Sequence, residues 1–170
     1  MDDSNVEDAL DRAEERFQNT RGQTSEPGLD MADTALIQLR KACRLLEAAR
    51  TLRERNGFYT VVIEASFVAI ERSLQFYLLY RNAVAPEDLR HRHTEVYAEG
   101  ARVNLFSDDF ANRLTELWAQ NRADVYYRET AASAEQADAM LALAEAVHRY
   151  VHEFATLSHE CICSHRDTER

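Results

Sequence analysis

Turn-forming residues are scarce in this sequence, with only four Gly and two Pro among 170 residues. A β-sandwich or barrel needs a turn signal roughly every 8 to 12 residues, so both architectures are excluded. Lysine is nearly absent too: Lys41 is the single Lys, and the other nineteen basic residues are Arg. No apolar run is long and uncharged. The most apolar stretch, Phe58 to Tyr80, is broken by Glu64, Glu71 and Arg72, whereas a membrane-spanning helix needs about 20 mostly apolar residues. The amino terminus, Met-Asp-Asp-Ser, has neither the basic nor the apolar region of a secretory signal. Cys43, Cys161 and Cys163 are therefore expected as free thiols in a reducing cytoplasm, in a soluble protein with no membrane contact. A phosphate-cradling Gly-rich loop, a GxSxG elbow and a CxxC pair are all missing, which removes three common routes to chemistry.

Ala, Leu, Arg and Glu fill the space instead, all good helix formers, and the fold class they predict is all-α. The formal net charge is −10, but it is unevenly spread. Residues 1–33 hold ten acids and three bases, and the rest of the chain is close to balance. A local cationic site beyond the acidic amino-terminal arm is thus compatible with the total.

Apolar periodicity predicts an amphipathic helix over about Ser4 to Thr20, with Val6, Leu10, Ala13 and Phe17 on one stripe. A linker, residues 20–29, follows. A second helix is expected from Asp30 to Asn56, stopped by Gly57, and a third from Phe58 to Arg81. The third is apolar nearly all round and should be central or lie at a subunit interface. Pro86 should open a shorter helix to about Glu99, with a loop from Gly100 to Phe106. Ser107 should cap a fifth helix whose core stripe is Phe110, Leu114, Leu117, Trp118 and Val125. Ser133 and Gln136 form a capping box for the last helix, which turns Met140, Ala144, Val147, Val151 and Phe154 inward. The organisation expected is an arm and linker (1–29), a helical bundle (30–158) and a tail (159–170).

Metal ligation is not expected. His159, Cys161, Cys163 and His165 crowd into seven residues, whereas structural zinc sites draw ligand pairs from two separated segments. His148 and His152 share a helix face but lack a third ligand, so they read as amphipathic side chains beside the core stripe. Arg90, His91, Arg92 and His93 make a short basic patch, usually a solvated face, though one that can meet phosphate.

The stretch Trp118-Ala-Gln-Asn-Arg-Ala-Asp-Val-Tyr-Tyr-Arg128 is the most informative. With the aromatic-rich helix before it (Ala65, Ile70, Glu71, Leu74, Leu78) and the Ser133-capped helix after it, it resembles the HEPN superfamily of higher-eukaryote and prokaryote nucleotide-binding domains. The resemblance runs from about Phe58 to Phe154. It implies an antiparallel bundle of about five helices with an extra amino-terminal helix, a homodimer, no cofactor, and RNA or a nucleotide as ligand. Active members are metal-independent ribonucleases with an Arg-x4–6-His motif, some of them toxins paired with a nucleotidyltransferase antitoxin. By this resemblance Arg122 would hold phosphate, with Asn121 and Arg128 completing the nucleotide-binding set.

Where the active members have histidine, this chain has Tyr127, preceded by Tyr126, and no His lies between Arg122 and His148. A tyrosine near its ordinary pKa of about 10 is a weak base at neutral pH, although it can donate a hydrogen bond or stack on a base. Family spacing favours Tyr127 as the partner of Arg122, and helix geometry favours Tyr126, which shares its face. Two main readings stay open, an RNA-acting protein or a catalytically inactive HEPN-like binding or dimerisation module, with a weaker third, a metal-binding helical protein using His148, His152 and the carboxy-terminal cysteines. A purely structural role would instead pair Arg122 with Asp109, Glu116 or Asp124.

Overall fold

The computed structural model describes residues 4–19, 26–29, 32–90, 95–123 and 131–155. Among them are six α-helices: α1 (Ser4–Gln18), α2 (Thr34–Glu54), α3 (Tyr59–Tyr80), α4 (Glu95–Arg102), α5 (Asp108–Asn121) and α6 (Ala134–Phe154). The described residues contain no strand. The chain divides into two compact units, Met1–Asp30 and Met31–Arg170.

In the first unit, α1 carries its apolar stripe in the open: Val6, Leu10 and Phe17 are all exposed. Its opposite face is acidic, with Glu7, Asp8, Asp11, Glu14 and Glu15.

The second unit is built around α3, which packs against α2, α4 and α6. An apolar helix surrounded on several sides must satisfy its few hydroxyls internally. Ser66 Oγ donates to the Val62 carbonyl at 2.7 Å and Ser73 Oγ to the Ala69 carbonyl at 2.8 Å. Val62, Ile70, Leu74, Phe76 and Leu78 are fully buried there, with Leu39 and Leu46 of α2 and Ala144 and Val151 of α6.

Helix α2 begins later than its apolar period suggests. Asp33, not Asp30, caps it, accepting from Ala35 N at 2.8 Å and Leu36 N at 3.0 Å. It ends in three consecutive left-handed residues, Asn56, Gly57 and Phe58, which reverse the chain directly into α3. Only the glycine adopts that conformation without a steric penalty, so the stop expected at Gly57 is a stop shared with its two neighbours. Charged side chains tie α2 to α6: Arg50 to Glu145, and Arg53 to Asp138 in a two-pronged contact.

The region between α3 and α5 departs from expectation. Pro86 leads into a short 3-10 turn, Asp88–Arg90, rather than a continuous helix, and α4 extends past Gly100 instead of ending before it. Gly100 sits inside α4 because the Phe106 ring occupies the place of a side chain. A Cβ there would meet Phe106 Cζ at 2.6 Å. The 3-10 turn and α4 flank 91–94, so the basic patch lies mostly outside the described residues.

Ser107 caps α5, accepting from Phe110 N at 3.2 Å, and Ser133 and Gln136 form the reciprocal box that opens α6. The inward stripes need correction. On α5 only Ala111 and Leu114 are buried, while Leu117 is exposed and Phe110 and Trp118 are half-buried. Val125 lies outside the described residues. The cause is a cleft: one flank of α5 packs on α4, and the other walls an open groove facing α6. On α6, Met140, Ala144, Val147 and Val151 are buried as expected. Phe154 is exposed, stacked on Tyr150 at 5.7 Å and edge-on to Tyr77 at 5.9 Å.

Candidate functional site

Arg122 lies one residue beyond α5, where the carbonyl end of a helix favours a cation. The backbone widens there into a π-helical turn at Arg122 and Ala123, a feature common at functional sites. Its guanidinium is held from two sides. Nη2 is 3.0 Å from Glu64 Oε2 on α3, and the guanidinium carbon lies 5.3 Å from the centre of the Trp118 ring, one helical turn back. The other Glu64 oxygen accepts from Asn121 Nδ2 at 2.9 Å. One carboxylate thus fixes two successive residues. About a third of the Arg122 side chain stays exposed.

Of the three structural alternatives for Arg122, Asp109 faces Arg113 at 3.9 Å and Asp124 lies outside the described residues; an ion pair that neither Asp109 nor Glu116 supplies joins Arg122 to Glu64. Glu64 had one visible signal, as a charge interrupting an apolar helix. Nothing local showed that its partners lie more than fifty residues away. Tyr126, Tyr127, Arg128 and Asp124 lie outside the described residues. Of the candidate residues, the structure brings Asn121 and Arg122 together.

Beside this cluster opens a pocket of about 320 Å³, between α3, α5 and α6. Ile63, Phe67 and Met140 form its apolar base, Leu117 and Leu143 its walls, and Gln120, Asn121 and Gln136 its polar lining. Ligand pockets of small molecules typically begin at about this size. The groove continues along α6 past Phe110, Val147 and Tyr150.

His148 does not sit beside the core stripe. It is buried, with Nδ1 2.9 Å from Ser73 Oγ and Nε2 3.5 Å from Cys43 Sγ. One assignment satisfies the chain: the Cys43 thiol donates to Nε2, Nδ1–H donates to Ser73, and the Ser73 hydroxyl donates to Ala69. Cysteine, histidine and serine in contact suggest a nucleophile, but all three are closed off from solvent. Their arrangement is that of a buried polar network. Tyr97 is buried as well, and burial, reinforced by the charge of Glu71, pushes its phenol far above the usual range. Among the described residues no group of three or more His, Cys, Asp or Glu side chains could hold a metal ion. The stretch His159 to His165 lies outside them. No described helix is long and apolar enough to cross a membrane.

Residues 1–163 match the family described as a domain of unknown function, DUF8154. The chain belongs to that family. The match takes in α1 together with the whole α2–α6 bundle. No curated protein and no solved structure matches the chain.

Proposed function

We propose that this DUF8154 protein is an HEPN-like, RNA-acting protein in which Arg122 is the phosphate ligand. The observation that carries the reading is the placement of Arg122: part-exposed at the carbonyl end of α5, its guanidinium carbon 5.3 Å from the centre of the Trp118 ring, and next in the chain to Asn121, which lines a ligand-sized pocket. A guanidinium fixed by neighbours on two sides loses less freedom on meeting phosphate than a lone surface arginine does. By the family resemblance it would be the toxin-like half of a two-gene module, in the cytoplasm, with a nucleotidyltransferase as its other half. Incubating the purified protein and its Arg122→Ala variant with structured RNA tests the ribonuclease form. Equal degradation by the two preparations rules this site out as the nuclease.

A second reading is a catalytically inactive HEPN-like binding or dimerisation module. Two features favour it: Tyr127 stands where the family's histidine would move protons, and Glu64 already faces the Arg122 guanidinium at 3.0 Å. The apolar groove between α5 and α6 also suits an assembly surface. RNA retention without cleavage supports this reading. Light scattering tests the homodimer, and a strictly monomeric protein at high concentration removes it.

A further inference from the structure

Helix α1 has 15 residues, and isolated helices of about 12 to 15 residues are marginal in water. Its persistence therefore calls for a partner that covers its amphipathic face. That face is bare in the single chain: Val6, Leu10, Ala13 and Phe17 are all exposed, Phe17 to 87 %. Lone apolar residues at a surface are ordinary, whereas a contiguous stripe marks an interaction site.

The bundle has the converse feature. Cavities of about 320, 550 and 310 Å³ share Leu143 and so form one elongated groove between α5 and α6 rather than a closed pocket. Its α6 side is Gln136, Met140, Leu143, Val147 and Tyr150, spaced four, three, four and three residues apart. Its α5 side is Phe110, Leu114, Leu117 and Asn121, spaced four, three and four. The α1 stripe repeats the four, three, four spacing, which is the alternation by which helices mesh along a seam. Gln136 to Tyr150 measures about 21 Å at the helical rise, against about 22 Å for the whole of α1. Ala139 and Ala146, both exposed, line the groove and leave room for a helix to approach.

We infer that the groove between α5 and α6 seats α1 of a second copy of the chain, so that two copies pair by exchanging their amino-terminal helices. Each copy presents one open groove and one bare helix of matching length and spacing. Two copies therefore satisfy each other and close, with nothing left over to recruit a third. Laying the apolar face of a helix into a groove is a common mode of recognition. Charge assigns its direction. Arg12 and Arg16 flank the α1 stripe on one side, and Glu7 and Glu14 on the other. The α5 rim of the groove carries Asp109 and Glu116 around Arg113, and the α6 rim carries Arg149, one turn beyond Ala146. In one direction of α1 the arginine flank lies along the acids of α5 and the glutamate flank along Arg149, and the reverse direction sets like charges together. The inference rests on the homodimer of the second reading and names the segment that forms it. It does not draw on Arg122, so the phosphate reading stands or falls separately.

Sedimentation velocity of the full chain over a concentration series, with two variants and their mixture, tests the exchange. Leu10→Glu puts a charge in the α1 stripe, and Ala146→Glu puts one in the groove. Both positions are exposed helix positions and glutamate is a good helix former, so the melting temperature of the bundle should hold. The parent chain should be a dimer, and each variant alone should associate about tenfold more weakly or worse. An equimolar mixture should recover part of the lost association, because the intact α1 of the Ala146→Glu copy meets the intact groove of the Leu10→Glu copy. A parent chain that is monomeric at every concentration overturns the second copy as occupant and the homodimer with it. A dimer that persists unweakened in Leu10→Glu overturns the exchange and leaves the homodimer standing. Weakening in both variants without recovery on mixing also overturns it, because α1 and the groove would then serve different contacts.

Discussion

Glu64→Gln and Arg122→Ala should move RNA affinity in opposite directions. In the folded chain Glu64 spans Asn121 and Arg122 at 2.9 and 3.0 Å, and both members of the ion pair keep about a quarter to a third of their side chains exposed. At that exposure solvent screens most of the attraction, and a pair of this kind contributes roughly 0.5 to 1 kcal/mol. Phosphate binding must displace or share that attraction. Removing the carboxylate charge while keeping the side-chain shape should therefore raise affinity about two- to fivefold. The amide introduced by Glu64→Gln would retain an oxygen to accept from Asn121, while its NH2 group, a donor only, would no longer hold the Arg122 guanidinium. Arg122→Ala should weaken binding and flatten its salt dependence, since each lost phosphate contact on a single strand reduces the slope of log K against log salt by about 0.7. Fluorescence anisotropy with labelled single-stranded RNA over a salt series measures both quantities. An unchanged slope in Arg122→Ala would mean that the guanidinium never meets phosphate. A fall in affinity for Glu64→Gln would mean that the carboxylate serves only to hold Arg122 in place.

Other expected outcomes bear on the scaffold. Gly100→Ala should lower the melting temperature by a few degrees, because crowding against Phe106 costs about 1 to 3 kcal/mol and outweighs a helix-propensity gain of about 1 kcal/mol. Adding Phe106→Leu should recover much of the loss in thermal denaturation, and failure to do so would locate the strain elsewhere. Ser73→Ala should cost about 1 to 3 kcal/mol by stripping a hydrogen-bond partner from buried His148, visible as a drop in chemical-denaturation midpoint at constant slope. An unchanged midpoint would show that the His148 ring nitrogen finds another partner. The Arg53 hydrogen bond holds the Asp138 carboxyl below its ordinary range. A depressed folded-state pKa gives stability that is present above the unfolded value and lost as pH falls through the folded one, which places the loss below about pH 4. Asp138→Asn should therefore flatten the acid limb of the melting-temperature profile in that window, and an identical limb would show that the pair contributes nothing there.

What the sequence made legible was local. Ser107, and Ser133 with Gln136, announce their helices because a cap satisfies backbone groups only two or three residues away. Scarce glycine and proline, with long helix-forming runs, sufficed for the all-α class. The misplaced features depend on distant partners. Gly100 looks like a loop residue until Phe106 is seen filling its side-chain position. Leu117 and Phe154 share a helical face with buried residues, yet periodicity says nothing about whether another element covers that face. His148 and His152 share a face too, and only contact with Ser73 and Cys43 separates the buried one from the other.

Glu64 shows why the same limit applies to function. In the sequence it is one of three charges that keep an apolar helix from being a membrane span. In the fold it is the group that orients Asn121 and shares the charge of Arg122. An arginine motif describes the cation alone, but the affinity of that cation for phosphate depends on the carboxylate facing it. A single acidic residue on α3 would therefore lower the attraction for phosphate. A protein tuned this way should bind RNA more weakly than its arginine suggests.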